Sequence, residues 1–335
     1  MTCAAPIVAS LGDPAGIGPE LLCAAWAARR AEHLAPFFVV GSRALLEAAA
    51  RQRGLDVPVR TIDVPADAAA CFDSALPVLD IGTLDYTPGD PSDAGAQMAM
   101  RSLEMATGLA RNGAACAVMT APIAKARLAR VGFSQPGQTE YLAEACGILP
   151  RNAVMMLAGP SLRVVPVTVH VALRDVPGLL TVELIRTRAT IAANALARDF
   201  GITRPRLAVA GLNPHAGEDG RMGREDMEIV APAVEALRTA GIDAVGPLPA
   251  DTMFHAEARA RYDVAICMYH DQALVPLKAL DFDRGVNVTL GLPIVRTSPD
   301  HGTAFAIAGT GEAREGATIA ALRMAGECAA RRADA

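Results

Sequence analysis

The chain has 335 residues, 52% of them apolar but only 4% aromatic, and a formal net charge of −5 at pH 7. That length suits one or two domains, and the alanine-, glycine- and valine-rich balance suits closely packed α/β layers rather than disorder. The acidic balance argues against a nucleic-acid partner, whose phosphates demand basic patches.

In chain order the predicted elements begin with strand 6–11, helix 18–33, strand 37–42, helix 43–53, strand 76–82, helix 92–112, strand 115–121 and helix 139–147. They continue with strands 154–159 and 162–173, helix 181–200, strand 206–212, helix 224–240, strands 263–269 and 286–295, and helix 314–332. Such alternation predicts α/β architecture, a parallel sheet with helices on both faces. The doubled run 154–173, broken by Gly159-Pro160-Ser161, predicts a hairpin that supplies antiparallel pairing or a contact between two copies. No composition shift marks a boundary, which points to a discontinuous two-domain chain. The seven cysteines lack any Cys-x-x-Cys pair, which argues against a disulfide framework and a thiolate zinc site and for a reducing cytoplasm. The opening residues lack a basic region followed by an apolar one, and no apolar stretch approaches the ~20 residues of a membrane helix. A soluble protein with no membrane partner is expected.

Three histidines stand in chemistry-rich settings at the ends of apolar runs: His170, His215 and His270. Ligands in open α/β sheets gather at the carboxyl ends of strands, and three neutral imidazoles converging there make a divalent-metal site with open positions. Taken singly, each is equally at home as a hydrogen-bonded core or loop histidine. The turn Gly12-Asp13-Pro14-Ala15-Gly16-Ile17-Gly18-Pro19-Glu20 lacks the spacing of a dinucleotide fingerprint, and the second strand ends without a carboxylate for a ribose. Pro19 and Glu20 suit the start of a helix, and Asp13 is placed to face a cleft. Further on, Asn287 and Arg296 lie on a run apolar enough to be buried. A buried arginine needs an anion or an acid, because a lone charge is costly to desolvate. Lys278, after the Pro276-Leu277 turn, joins them as a cation suited to phosphate or carboxylate. The small-residue stretch His301-Gly302-Thr303-Ala304, with Gly309 and Gly311 following, allows close backbone approach to a nucleotide, or makes a plain helix-entry turn.

Longer motifs, in order from about residue 6 to about 325, carry a resemblance. They are the Gly12–Glu20 turn, Thr120-Ala-Pro-Ile-Ala-Lys125, Asn213-Pro-His-Ala-Gly-Glu218 with Met222-Gly-x-Glu225, Gly246-Pro-Leu-Pro-Ala-Asp251-Thr252-x-Phe254, Tyr269-His-Asp-Gln272, Gly285–Pro293 and Arg296–Ala304. Together they resemble the 4-hydroxythreonine-4-phosphate dehydrogenases of pyridoxal-phosphate biosynthesis. The resemblance implies an isocitrate/isopropylmalate dehydrogenase-like fold: two α/β domains with an active-site cleft between them, one of residues 1–130 plus 280–335 and one of 131–279 bearing the contacts of a homodimer. It implies NAD or NADP bound without a Rossmann fingerprint, through His301, Gly302, Thr303 and Ala304. His170, His215 and His270 would ligate one divalent metal across the dimer. Zinc or cobalt suits imidazole, whereas magnesium usually prefers oxygen. Gln138, Thr139, Lys278, Asn287 and Arg296 would bind substrate, with Lys278 nearest the chemistry. Asp251 and Asp271 would either orient imidazole N–H groups or cap helices that start there. The implied reaction oxidises the C3 hydroxyl of 4-phosphooxy-L-threonine and releases carbon dioxide. Two positions depart from the family pattern. Gln138 stands where histidine is usual and cannot titrate, and Ala306 stands where an acidic residue is frequent. They leave room for a related dehydrogenase of 4-phospho-D-threonate or 4-phospho-D-erythronate. A phosphate acyltransferase of similar fold, or a non-catalytic phosphometabolite binder, would need no metal triad.

Overall fold

Apolar runs set where the backbone is extended, and their burial decides how the strands pair. The structure, a computed structural model, describes residues 5–334. Its strands are β1 (Ile7–Ser10), β2 (Phe37–Gly41), β3 (Val59–Thr61), β4 (Leu76–Asp80), β5 (Ala117–Thr120) and β6 (Val154–Ala158). They continue with β7 (Arg163–Pro166), β8 (Arg206–Ala210), β9 (Asp243–Leu248), β10 (Val264–Cys267), β11 (Val286–Leu290) and β12 (Val295–Pro299). The chain forms two compact units, one holding the stretch up to Pro150 together with everything from Leu292 on, the other Arg151–Gly291.

In the first unit the strand order is β3-β4-β2-β1-β5-β12, and every pair is parallel. β1, β2 and β5 are buried along their whole length, which is why they read as unbroken apolar runs rather than alternating ones. Side chains alternate faces along a strand. On β12 Thr297 donates its hydroxyl to Ala321 O, 2.9 Å away on the helix Gly316–Ala333. Its neighbour Arg296 therefore points to the opposite face, in register with Val118 of β5 and on the same side as Thr120.

The second unit has the order β11-β6-β7-β10-β8-β9. β11–β6 and β6–β7 are antiparallel, so the predicted hairpin across Gly159–Ser161 forms. The remaining pairs are parallel. Leu157, Val164, Ala265, Ala273 and Leu277 share one core cluster on the face covered by the helix His270–Asp281.

Four expectations are corrected. The strand expected over 162–173 ends at Pro166, and the backbone turns left-handed at His170, with φ of 53°. The run 286–295 is two strands, separated where Gly291 adopts φ of 84°. Lys278 does not follow a turn at Pro276: the helix His270–Asp281 runs through that proline. A proline inside a helix costs ~3 kcal/mol, which burial of Ala273, Leu274 and Leu277 offsets here. Finally, β3 and β9 went unpredicted, because β3 is three residues with two exposed and β9 is mostly exposed or half-buried.

Candidate active site

Parallel pairing places the three histidines. β7, β10 and β8 are adjacent, with Val165 opposite Ile266 and Ile266 opposite Val209. The ladder continues past β7, where Val167 N donates to Cys267 O at 2.7 Å and Thr168 Oγ1 to Met268 O at 2.8 Å. His170, His270 and His215 thus leave the carboxyl ends of three neighbouring strands, where the fold gathers ligands.

The structure brings two of them together. The rings of His170 and His270 lie 5.7 Å apart, centroid to centroid, at 41°. With Thr168, Tyr269 and Asp271 they line a hollow of about 250 Å³. Asp271 sits 2.7 Å from Nδ1 of His270. A carboxylate there takes the Nδ1–H and leaves Nε2 as the lone pair facing outward. His215 and Asp251, with Gln272, line a second hollow of about 300 Å³, and Tyr269 lines both. Among the described residues no three His, Cys, Asp or Glu side chains converge closely enough to hold a metal ion. The donor set suits a borderline metal, yet one chain brings only two of the three imidazoles together.

Backbone strain concentrates at these positions. His215, Ala216, Gly217, Glu218 and Asp219 are all left-handed, with φ between 43° and 82°. That conformation costs an L-residue roughly 1–2 kcal/mol and is held only where the surroundings over-determine it. The clamp is Asp226, fully buried, whose carboxylate accepts Leu212 N–H at 2.7 Å, Asn213 N–H at 3.0 Å and Asn213 Nδ2 at 3.0 Å. A Cβ at Gly211 would meet Ala216 Cα at 2.9 Å and Asp226 Oδ1 at 3.0 Å, so only glycine fits beneath the turn. Gln272 ties the strand ends: its Oε1 accepts Met268 N–H at 2.6 Å and its Nε2 donates to Gly211 O at 2.8 Å. Asp226 and Gln272 were not anticipated. Gln272 lay inside a recognised motif, whereas nothing around Asp226 signalled its role.

Two further expected residues share this unit. Asn287 lies on β11, and its Oδ1 is buried without a hydrogen-bond partner in the protein. Lys278 is on the helix that His270 begins.

The first unit holds the other expected residues. Arg296 is 4% exposed. Its Nε and Nη2 donate to Thr120 Oγ1 at 3.1 and 2.8 Å, and Nη2 also donates to Gln138 Oε1 at 3.0 Å. Burial draws the guanidinium down to about 10, with the Glu140 charge working the other way. Thr139 follows Gln138 in the first turn of the helix Gln138–Ala145. In the segment 301–311, His301 is held below the usual imidazole range by burial, and its Nε2 is buried without a protein partner. Thr303 O accepts Ile17 N–H at 3.0 Å, Ala304 is left-handed at φ 47°, and Gly302 has open space where a Cβ would stand. Glu20, 1% exposed, accepts Gly309 N–H at 3.1 Å and pairs with Arg53 at 3.1 Å, so it anchors this segment as well as beginning a helix. Asp13 is 2% exposed; Oδ1 accepts Ala15 N–H at 3.0 Å while Oδ2 has no partner, and burial raises its pKa.

Residues 33–325 match the family model of the pyridoxal phosphate biosynthetic protein PdxA. The chain belongs to that family. It is 60% identical over 330 residues to a 4-hydroxythreonine-4-phosphate dehydrogenase of Erythrobacter litoralis, covering 98% of each. It is 52% identical to one of Zymomonas mobilis, over 97% of this chain and 96% of that one. Among solved structures, the 4-hydroxythreonine-4-phosphate dehydrogenase of Klebsiella pneumoniae superposes with a TM-score of 0.87 at 39% identity, covering 97% of this chain and 98% of that one. A terephthalate 1,2-cis-dihydrodiol dehydrogenase of Burkholderia xenovorans gives 0.65 at 28% identity, over 96% and 98%. A chain of this family is an oxidoreductase of pyridoxine biosynthesis. No helix among the described residues is long and apolar enough to cross a membrane.

Proposed function

We propose that this chain catalyses the NAD(P)-dependent oxidation of 4-phosphooxy-L-threonine, with loss of carbon dioxide to give 3-amino-2-oxopropyl phosphate, in the cytoplasm and on the route to pyridoxal 5'-phosphate. The carrying observation is the 60% identity, across 98% of both chains, to a 4-hydroxythreonine-4-phosphate dehydrogenase. His170, His215 and His270, drawn from two copies in a homodimer, hold one divalent cation: zinc, cobalt or magnesium. Two observations support two copies. One chain gathers only two of the imidazoles, and the unit that carries them leaves Leu173, Val275 and Phe282 64–70% exposed. Large apolar side chains gathered on one unit fit the core of an interface.

A cation there supplies Lewis acidity, stabilising negative charge that develops on the substrate oxygen. The chain's residues do the rest. Asp271 fixes the tautomer of His270, and Asp251 stands beside His215 to do the same. Lys278 stabilises the oxyanion or relays its proton. Arg296 and Thr139 hold the anionic groups of the substrate, a role suited to a buried guanidinium, while the unpartnered Oδ1 of Asn287 accepts from a donor on the substrate, its hydroxyl or amino group. His301, Gly302, Thr303 and Ala304 receive the nucleotide, whose polar edge would satisfy the buried Nε2 of His301. NAD+ reduction is to be followed with 4-phosphooxy-L-threonine, 4-phospho-D-threonate and 4-phospho-D-erythronate, each with and without chelator and added metal. Metal-dependent turnover of the amino substrate is expected. Preference for either hydroxy acid would keep the chemistry and overturn the pathway.

A further inference from the structure

Gln138 occupies a position expected to touch substrate, yet each end of its amide already makes a hydrogen bond to the protein. Its Nε2 donates to Ala121 O at 3.0 Å, and its Oε1 accepts from Nη2 of Arg296 at 3.0 Å. An amide has one donating and one accepting end, and here each is turned to the protein. Ala121 follows directly on Thr120, the other acceptor of Arg296. Gln138 therefore links the end of β5 to the guanidinium on β12, and with Thr120 it fixes the azimuth of the Arg296 plane.

The amide behaves differently here from a carboxylate and from the imidazole usual at this position in the family. Carboxylate at this position would form an ion pair with Arg296 and compete with an incoming anion. An imidazole would accept from arginine only while neutral, and on protonation would repel it. The amide orients without neutralising and without titrating. We infer that Gln138 is a positioning residue: it holds Arg296 in register for the phosphate or carboxylate of the substrate and does not itself contact that anion. The inference rests on the proposed function for the identity of the substrate, but its core, an amide acting through Arg296, is separable from it.

The test is a double-mutant cycle on the metal-replete enzyme, with Gln138→Ala and Arg296→Met singly and together. KM and kcat are measured for 4-phosphooxy-L-threonine, and the thermal shift given by inorganic phosphate is measured alongside. In the native background Gln138→Ala is expected to raise KM about 3- to 10-fold, the range of one lost hydrogen bond, with kcat within about threefold. In the Arg296→Met background the same substitution is expected to change KM less than about twofold, since residues acting through one another are not additive. Gln138→Glu is expected to raise KM by more than about tenfold, and Gln138→His to give a KM that climbs as the pH falls through the imidazole range, about 6.5. If Arg296→Met does not fold, Arg296→Lys, which keeps charge but loses the planar fork, takes its place. An equal cost of Gln138→Ala in both backgrounds would mean direct contact with substrate and would overturn the inference. So would an unchanged KM in the native background, or a phosphate shift that is absent from the unmodified protein. An inactive unmodified enzyme would count against the substrate alone, because the cycle is then read from phosphate binding.

Discussion

Arg296 and Asp13 are both buried charges of the first unit, met by opposite arrangements. The guanidinium donates to two neutral acceptors and remains a cation at neutral pH. The Asp13 carboxyl has one oxygen bonded and one bare, and burial lifts its pKa. An acid whose folded-state pKa is raised favours the folded state below the ordinary carboxylate range and loses that contribution as the pH rises through its folded value. Asp13→Asn keeps an acceptor for Ala15 N–H and removes the charge. It is expected to melt higher than the native protein at pH 7, with the gap closing as the pH falls toward 4, the ordinary carboxylate value; a gap independent of pH would contradict the burial argument. Lys278 belongs to the same scale. Lys278→Met is expected to lower kcat by about 10²-fold or more with little change in KM, as for a group engaged with the transition state; near-normal turnover would remove it from catalysis.

Elements explain what single residues do not. The left-handed turn from His215 to Asp219 exists because one carboxylate, 14 residues from Leu212, collects three donors. Asp226→Ala is expected to cost on the order of 3 kcal/mol, since it strands buried donors beneath a strained turn, and to lower activity more than Asp226→Asn. Denaturant unfolding with parallel assays checks both. The same turn shows what could be read in the sequence. His170, His215 and His270 were visible as residues following apolar runs, and β7, β8 and β10 carry them there as such runs should. Asp226 was invisible because its partners are backbone amides of a conformation that no periodicity announces. The helix His270–Asp281 was hidden by Pro276, a residue whose local penalty is overruled by Ala273 and Leu277 in the core. The break between β11 and β12 was hidden because both flanks are equally apolar, and only the positive φ of Gly291 separates them. Gln138 was legible as a departure from a motif, but the contact of Thr120 with Arg296 was not, since only the register across β5 and β12 brings those two together.

At the scale of the whole molecule, the proposed two-copy site has a direct consequence for mixtures. His170→Ala and His215→Ala should each be inactive alone. Unfolded and refolded together, they are expected to recover about a quarter of native activity, because half the dimers are hybrids and half the sites of each hybrid are intact. No recovery would place His170 and His215 of each site in the same copy. The chain's path has a different consequence, one for its synthesis. The first unit begins at the amino end, is interrupted by the whole of Arg151–Gly291, and resumes only at Leu292. While the ribosome is still adding the last stretch, β5 has β1 on one side and nothing on the other, since its second neighbour is β12. An apolar strand with an open edge is a template for association, so the nascent protein depends on being held apart until its final helix emerges. A message truncated after Gly291 is expected to yield a product that contains all three histidines proposed to hold the metal and nonetheless collects in the insoluble fraction.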